Sequence, residues 1–161
     1  MKKYILLLSL FIVAPTYADA FKSEKQLLSF MNSIMAEVGQ GDVRAAIEKM
    51  KPYMTVPGEQ VDEVMRNTQT ARTRVAEVIG PSIGYEYIGQ KRIGSSLLRT
   101  IYVEKAANAA ITWTFVFYQS IDGWVLTSFN FEIDSPDVFD YAFDWSAKVL
   151  IKASGYWQVQ S

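Results

Sequence analysis

The chain has 161 residues, 50% of them hydrophobic, with 16 Lys and Arg against 17 Asp and Glu for a formal net charge of −1. That is the composition of one globular domain, and no whole-chain charge excess points to nucleic acid or an anionic membrane. With Cys and His both absent, disulfides, thiolate or imidazole metal ligands, cysteine nucleophiles and Ser-His-Asp catalysis are excluded.

Met1-Lys2-Lys3 is a short basic start, and Ile5 to Val13 is apolar apart from Ser9. Pro15 and the small-residue exits Thr16-Tyr17-Ala18 and Ala18-Asp19-Ala20 follow. These are the three parts of a secretory signal peptide, and the run is too short to span a bilayer, which takes about 20 residues. Residues 1–20 are therefore expected to be a leader cleaved after Ala20. Residues 21–161 are expected to form a single exported domain, periplasmic or secreted, with no membrane span.

All six Met residues lie at or before position 65, while most Phe, Trp and Tyr residues lie after position 80. Helices are expected first and sheet second, because unbranched side chains favour helix and aromatic or β-branched ones favour strand. Ser23-Glu24-Lys25-Gln26 fits a capping box. Leu27, Leu28, Met31, Ile34, Met35 and Val38 then recur at helical spacing until Gly39 and Gly41. Asp42 caps a second helix with Val43, Ala46, Ile47 and Met50 on one face, ended by Pro52. Pro57 opens a third, with the stripe Val61, Val64, Met65, Thr68, Val75, Val78 and Ile79.

Four strands are expected at about 84–93, 96–105, 110–119 and 124–133, joined by short links into an antiparallel meander. Trp113, Phe115 and Phe117 alternate with Thr112, Thr114 and Val116. A three-residue loop, Ile121-Asp122-Gly123, unites that aromatic set with Val125, Phe129 and Phe131, leaving Trp124, Leu126 and Ser128 on the far face. Odd positions then face the core, and on the second strand the same parity sends Leu97, Ile101 and Val103 inward with Arg99. Ser135-Pro136 starts a C-terminal helix over residues 136–152. The fold class is α+β: N-terminal helices on a curved four-stranded antiparallel meander, plus that helix.

The stretch Thr112 to Tyr118, the run Asp122-Gly123-Trp124-Val125-Leu126, and Phe129-Asn130-Phe131, preceded by Gly41-Asp42 and Ala45-Ala46, resemble the nuclear transport factor two-like superfamily over about residues 23–134. The resemblance implies a cystatin-like α+β cone, a curved sheet wrapped on helices around a pocket. Its enzymes rely on His-Asp pairs, impossible here, or on Tyr with Asp. Its other members bind ligands or dimerise, so fold does not fix function.

Inside such a cone Arg99 would be a permanent cation requiring an anion. Trp113, Phe115, Phe117 and Phe129 would line an apolar cavity or fill the core, and Tyr85 and Tyr87 would offer phenols. Glu86, Glu104 and Glu132 carry even numbers and are expected to face away, which counts against a carboxylate base. Asp134, Asp137, Asp140 and Asp144 fit no calcium loop, so neither metal nor cofactor is expected. The leading expectation is an exported, non-enzymatic binding protein whose pocket takes a small apolar or anionic ligand. The alternative is a protein-interaction or homodimerisation module using Trp124, Leu126, Val116, Leu98 and Tyr118 on the outer sheet face. A third is a Tyr/carboxylate isomerase-like enzyme. Neither nucleic acid nor a metal is among the expected partners.

Overall fold

In the computed structural model, which describes residues 18–56, 58–133, 150–153 and 156–159, α1 spans Glu24–Gly39. Its Ser23 cap accepts from the Gln26 amide, and the Gln26 side chain in turn accepts from the Lys22 amide at 2.9 Å. The first bond satisfies a donor that a helix start leaves open, and the second ties the preceding residue to the first turn. Helix α2, Val43–Met50, is capped by the Asp42 carboxylate through the Ala45 amide and buries Val43, Ala46, Ile47 and Met50. A single 3-10 turn at Lys51–Tyr53 carries Pro52, and α3 spans Gly58–Ile79.

The α3 stripe differs from expectation at two positions. Val78 is 77% exposed, whereas Arg72, a charged residue, is 6% exposed in line with Val61, Thr68 and Ile79. At about 100° per residue Ile79 returns to within about 20° of Arg72, while Val78 points about 120° away.

Strands β1 (Ser82–Ile93), β2 (Leu97–Ala106), β3 (Ala110–Ser120) and β4 (Gly123–Ile133) form one antiparallel sheet in the order β1-β2-β3-β4. Helix α1 meets β1 where Gly39 lies against Gly84; a Cβ at Gly39 would sit 3.0 Å from the Gly84 carbonyl carbon. The core joins α1 and α2 to the inward side chains of the sheet, including Leu98, Tyr102, Trp113, Phe115, Phe117, Trp124 and Leu126.

Register corrects the expected parity of β2. Lys105 pairs with Ala110, so four residues lie between the paired positions, and Tyr102 faces Trp113 while Glu104 faces Ile111. An even-length connection places even positions of β2 beside odd positions of β3. Leu98, Thr100, Tyr102 and Glu104 therefore point to the helices, and Leu97, Arg99, Ile101 and Val103 point away.

The β3–β4 pairing reaches the expected partners by a different route. Trp113 faces Phe131 and Phe115 faces Phe129, but Ser120 pairs with Gly123 across a two-residue turn. A register shift between Val116 and Phe117 leaves Thr127 without a partner position, and the Thr127 hydroxyl donates to the Val116 carbonyl at 3.0 Å. This bulge rotates the strand by one position. Trp124 and Leu126 therefore enter the core beside Phe117, and Val125 lies on the opposite face beside Tyr118. Gly123 has φ +132°, and a Cβ there would collide with the Phe21 carbonyl oxygen.

The expected leader falls outside the described residues except at 18–20. So do residues 136–149 of the expected C-terminal helix. At Leu150–Ala153 the chain is extended instead, as β5, paired antiparallel with β6 at Tyr156–Val159. Leu150, Ile151, Tyr156, Trp157 and Val159 suit a hairpin, with only Ser154-Gly155 between the paired ends.

Candidate functional site

Trp113, Phe115 and Phe117 are 1%, 0% and 0% exposed. Trp113 stacks on Phe131 at 5.1 Å and on Phe115 at 6.2 Å, and Phe115 stacks on Phe129 at 6.4 Å. The rings occupy the interior as mutual packing partners. Tyr85 and Tyr87 lie on the same helix-facing side, each with its ring near Tyr102, and the Tyr102 hydroxyl donates to Asn32 at 3.2 Å. Burial, with the neighbouring Tyr87 and Tyr85, pushes the Tyr102 hydroxyl well above the ordinary tyrosine range; burial alone raises Tyr87.

Arg99 is not among these rings. It pairs with Val116 on the far face, where it lines a hollow of about 170 Å³ with Thr112, Thr114, Ser128, Asn130 and Glu132. Hydroxyls, an amide, a guanidinium and a carboxylate share that hollow with the apolar Val116 and Phe129. The expected outer-face set is also divided: Leu98, Trp124 and Leu126 belong to the core, while Tyr118 remains 46% exposed.

The interior charge is a different one. Glu104, expected to face outward, is 0% exposed and ion-paired with Arg72 of α3. Arg72 Nη2 donates to Glu104 Oε1 and, at 2.9 Å, to the Ser82 hydroxyl; that hydroxyl also donates to Glu104 Oε1. Trp113 Nε1 donates to Glu104 Oε2 at 2.9 Å. Both carboxylate oxygens are thus engaged by groups of two neighbouring strands and a helix, although Tyr85 pairs directly with Glu104 across the ladder. A catalytic base must reach a substrate proton; this carboxylate is held by structural donors. Two signals for it stood in the sequence: Arg72 at seven-residue spacing from Ile79, and a core tryptophan whose N–H needs an acceptor.

A groove of about 460 Å³ runs between α2 and α3. Its floor is Ile47, which is buried, and Met65, which is half-buried; Arg44, Arg66, Gln69 and Thr70 are its exposed lining. Asp62, Met65, Arg66 and Gln69 recur at helical spacing along one face of α3. The carboxylate present, Asp62, is bonded by Lys51, and that hydrogen bond holds the lysine above its ordinary value. No ion pair among the described residues involves Arg44 or Arg66, so the arginines set the sign of the groove. Its volume lies within the range of small-molecule sites, about 300–1,000 Å³. Sequence reading missed it because neither arginine is unusual on an exposed helix face; only the meeting of two helices makes them neighbours.

Among the described residues no group of three or more Asp or Glu side chains converges as a metal site, and no helix is long and apolar enough to cross a membrane. Compared with known proteins, the chain matches no family model, no curated protein and no solved structure.

Proposed function

We propose that this chain is an exported, non-catalytic binding protein of the nuclear transport factor two-like cone type, carrying a small amphipathic anion. The reading places the ligand between α2 and α3 rather than inside the cone. One observation carries it: an apolar floor of Ile47 and Met65 flanked by Arg44 and Arg66, with the groove's carboxylate already paired. An alkyl chain would remove the floor from water at about 25 cal/mol per Å², and a carboxylate or phosphate would meet guanidinium forks that favour planar anions. The interior cluster supports the non-catalytic part, since its one described acid is held by three donors.

Thermal unfolding with decanoate tests this. A ligand at about 100 times its dissociation constant adds about 2.7 kcal/mol, so the midpoint should rise with decanoate and rise less with decanol. Arg44→Glu combined with Arg66→Glu, both on exposed positions, should abolish the decanoate response. An unchanged midpoint in the parent chain, or an equal response in the double variant, refutes the assignment.

A further inference from the structure

Two small-residue exits end the expected leader, Thr16-Tyr17-Ala18 and Ala18-Asp19-Ala20. A signal peptidase reads small side chains on a chain that has not yet folded, so that pattern leaves both bonds open. Their products differ by Asp19 and Ala20, and the fold gives both residues a place.

The Asp19 amide donates to the Pro52 carbonyl at 2.8 Å. The Phe21 amide donates to the Trp124 carbonyl, and the Trp124 amide donates back to Phe21, each at 2.9 Å. Residues 19–21 are thus a short strap tied at one end to the 3-10 turn and at the other to β4. Ala20, half-buried between these ties, lies against Gly123, where an added Cβ would come 3.3 Å from the Ala20 methyl. Phe21 is 1% exposed, and its ring stacks on Tyr53 at 4.2 Å.

A cut after Ala20 would remove the Pro52 tie and the Ala20 packing. It would also turn the Phe21 amide into a cationic ammonium with three donors, of which the Trp124 carbonyl takes one. That charge would stand on the most buried residue of the strap, where hydration is poorest. A cut after Ala18 keeps both ties. Its ammonium falls on Asp19, which is exposed, so water hydrates the charge while one N–H still meets the Pro52 carbonyl.

We infer that processing falls between Ala18 and Asp19, and that the mature domain begins at Asp19. Water adds across that one peptide bond: the leader leaves with the Ala18 carboxylate, and the mature chain keeps the Asp19 nitrogen as its ammonium. The inference rests on the exported reading and assigns the bond that reading requires; it is independent of the α2–α3 groove.

The full-length precursor is produced in a bacterial host, and the first residue of the exported chain is read by intact mass and N-terminal sequencing. Asp19 is the expected first residue, and Phe21 in its place overturns the inference. A chain that stays inside the cell with its leader attached refutes export itself, a result distinct from a Phe21 start. Two altered precursors check the bond from the peptidase's side. Ala20→Gln spoils the second exit but leaves Thr16 and Ala18 small, so it should be processed like the parent. Thr16→Gln spoils the first exit, so it should stall as precursor or emerge beginning at Phe21. The opposite pattern overturns the assignment. Chains beginning at Asp19 and at Phe21, released from a fusion without added residues, are then compared in urea. The unfolding constant of the Phe21 start should be about fivefold larger or more, the worth of one hydrogen bond. Equal stability would show that Asp19 ties nothing and remove the physical ground for the choice.

Discussion

The Arg72–Glu104 pair is the least solvated ionic contact among the described residues, with side chains 7% and 0% exposed, and its two ends are unequally served. Both Glu104 oxygens have donors, whereas Arg72 Nε and Nη1 are buried with no hydrogen-bond partner. Glu104→Gln keeps the size and an acceptor for Trp113 Nε1, but leaves a buried guanidinium facing a neutral amide. Removing one member of a buried pair costs about 3–5 kcal/mol; at ~2–4 °C per kcal/mol for a chain of this size, the midpoint falls by about 6–20 °C. Arg72→Met should cost less, because it deletes the poorly served cation and leaves the carboxylate its bonds to Ser82 and Trp113. The combined variant has no unpaired charge, so it should lie about 2–3 kcal/mol above the sum of the singles, the upper range for groups in contact. Urea titration followed by tryptophan fluorescence measures all four chains, with the slope checked for constancy. Additivity within ~0.5 kcal/mol, or Arg72→Met proving the costlier single change, would show that the charges do not depend on each other and refute the reasoning.

Gly123→Ala should lose about 1–3 kcal/mol in the same titration, because the new methyl meets the Phe21 carbonyl and the residue keeps a positive φ. Gly94→Ala, where no atom lies within 4 Å of the added carbon, isolates the conformational part and should lose less. For pH, the Tyr102 hydroxyl holds its proton more tightly when folded than the ordinary value of 10.0. Its contribution is intact below that value and declines as pH climbs beyond it, since the unfolded chain then binds fewer protons. Tyr102→Phe should therefore flatten the alkaline loss of stability above about pH 10, and an unchanged alkaline limb would contradict the assignment.

Helices were legible because their signals are local. Ser23 and Asp42 cap where a short polar side chain precedes an apolar period, and the faces of α1 and α2 follow from 3.6-residue spacing alone. Strand order was equally legible from four apolar runs joined by short links. What escaped was phase. Whether Arg99 or Glu104 points inward depends on whether the β2–β3 connection holds an odd or even number of residues, and Ala106 to Ala109 carry no turn motif that fixes it. The bulge at Thr127 was hidden for a similar reason: a three-residue loop and a two-residue turn plus one unpaired residue give the same Phe115–Phe129 pairing. They differ only in placing Trp124 and Leu126 inside. The burial of Arg72 went unread because a charged side chain on an amphipathic helix normally marks the wet face, and its partner lies 32 positions away. The α2–α3 groove was invisible for a tertiary reason, since it exists only where two separately predicted helices meet.

Phe21 exchanges both backbone hydrogen bonds with Trp124, each at 2.9 Å, and the Thr55 amide bonds the Leu126 carbonyl beside the Met54 bridge. The first part of the β4 flank is thus already occupied by two short pieces of the same chain, while its ring stack on Tyr53 at 4.2 Å clamps the first piece in place. A stray extended peptide approaching sideways finds no vacant ladder at Trp124 or Leu126. Loss of the residue 21 clasp would expose that ladder and turn a self-sealed seam into a template for runaway strand addition.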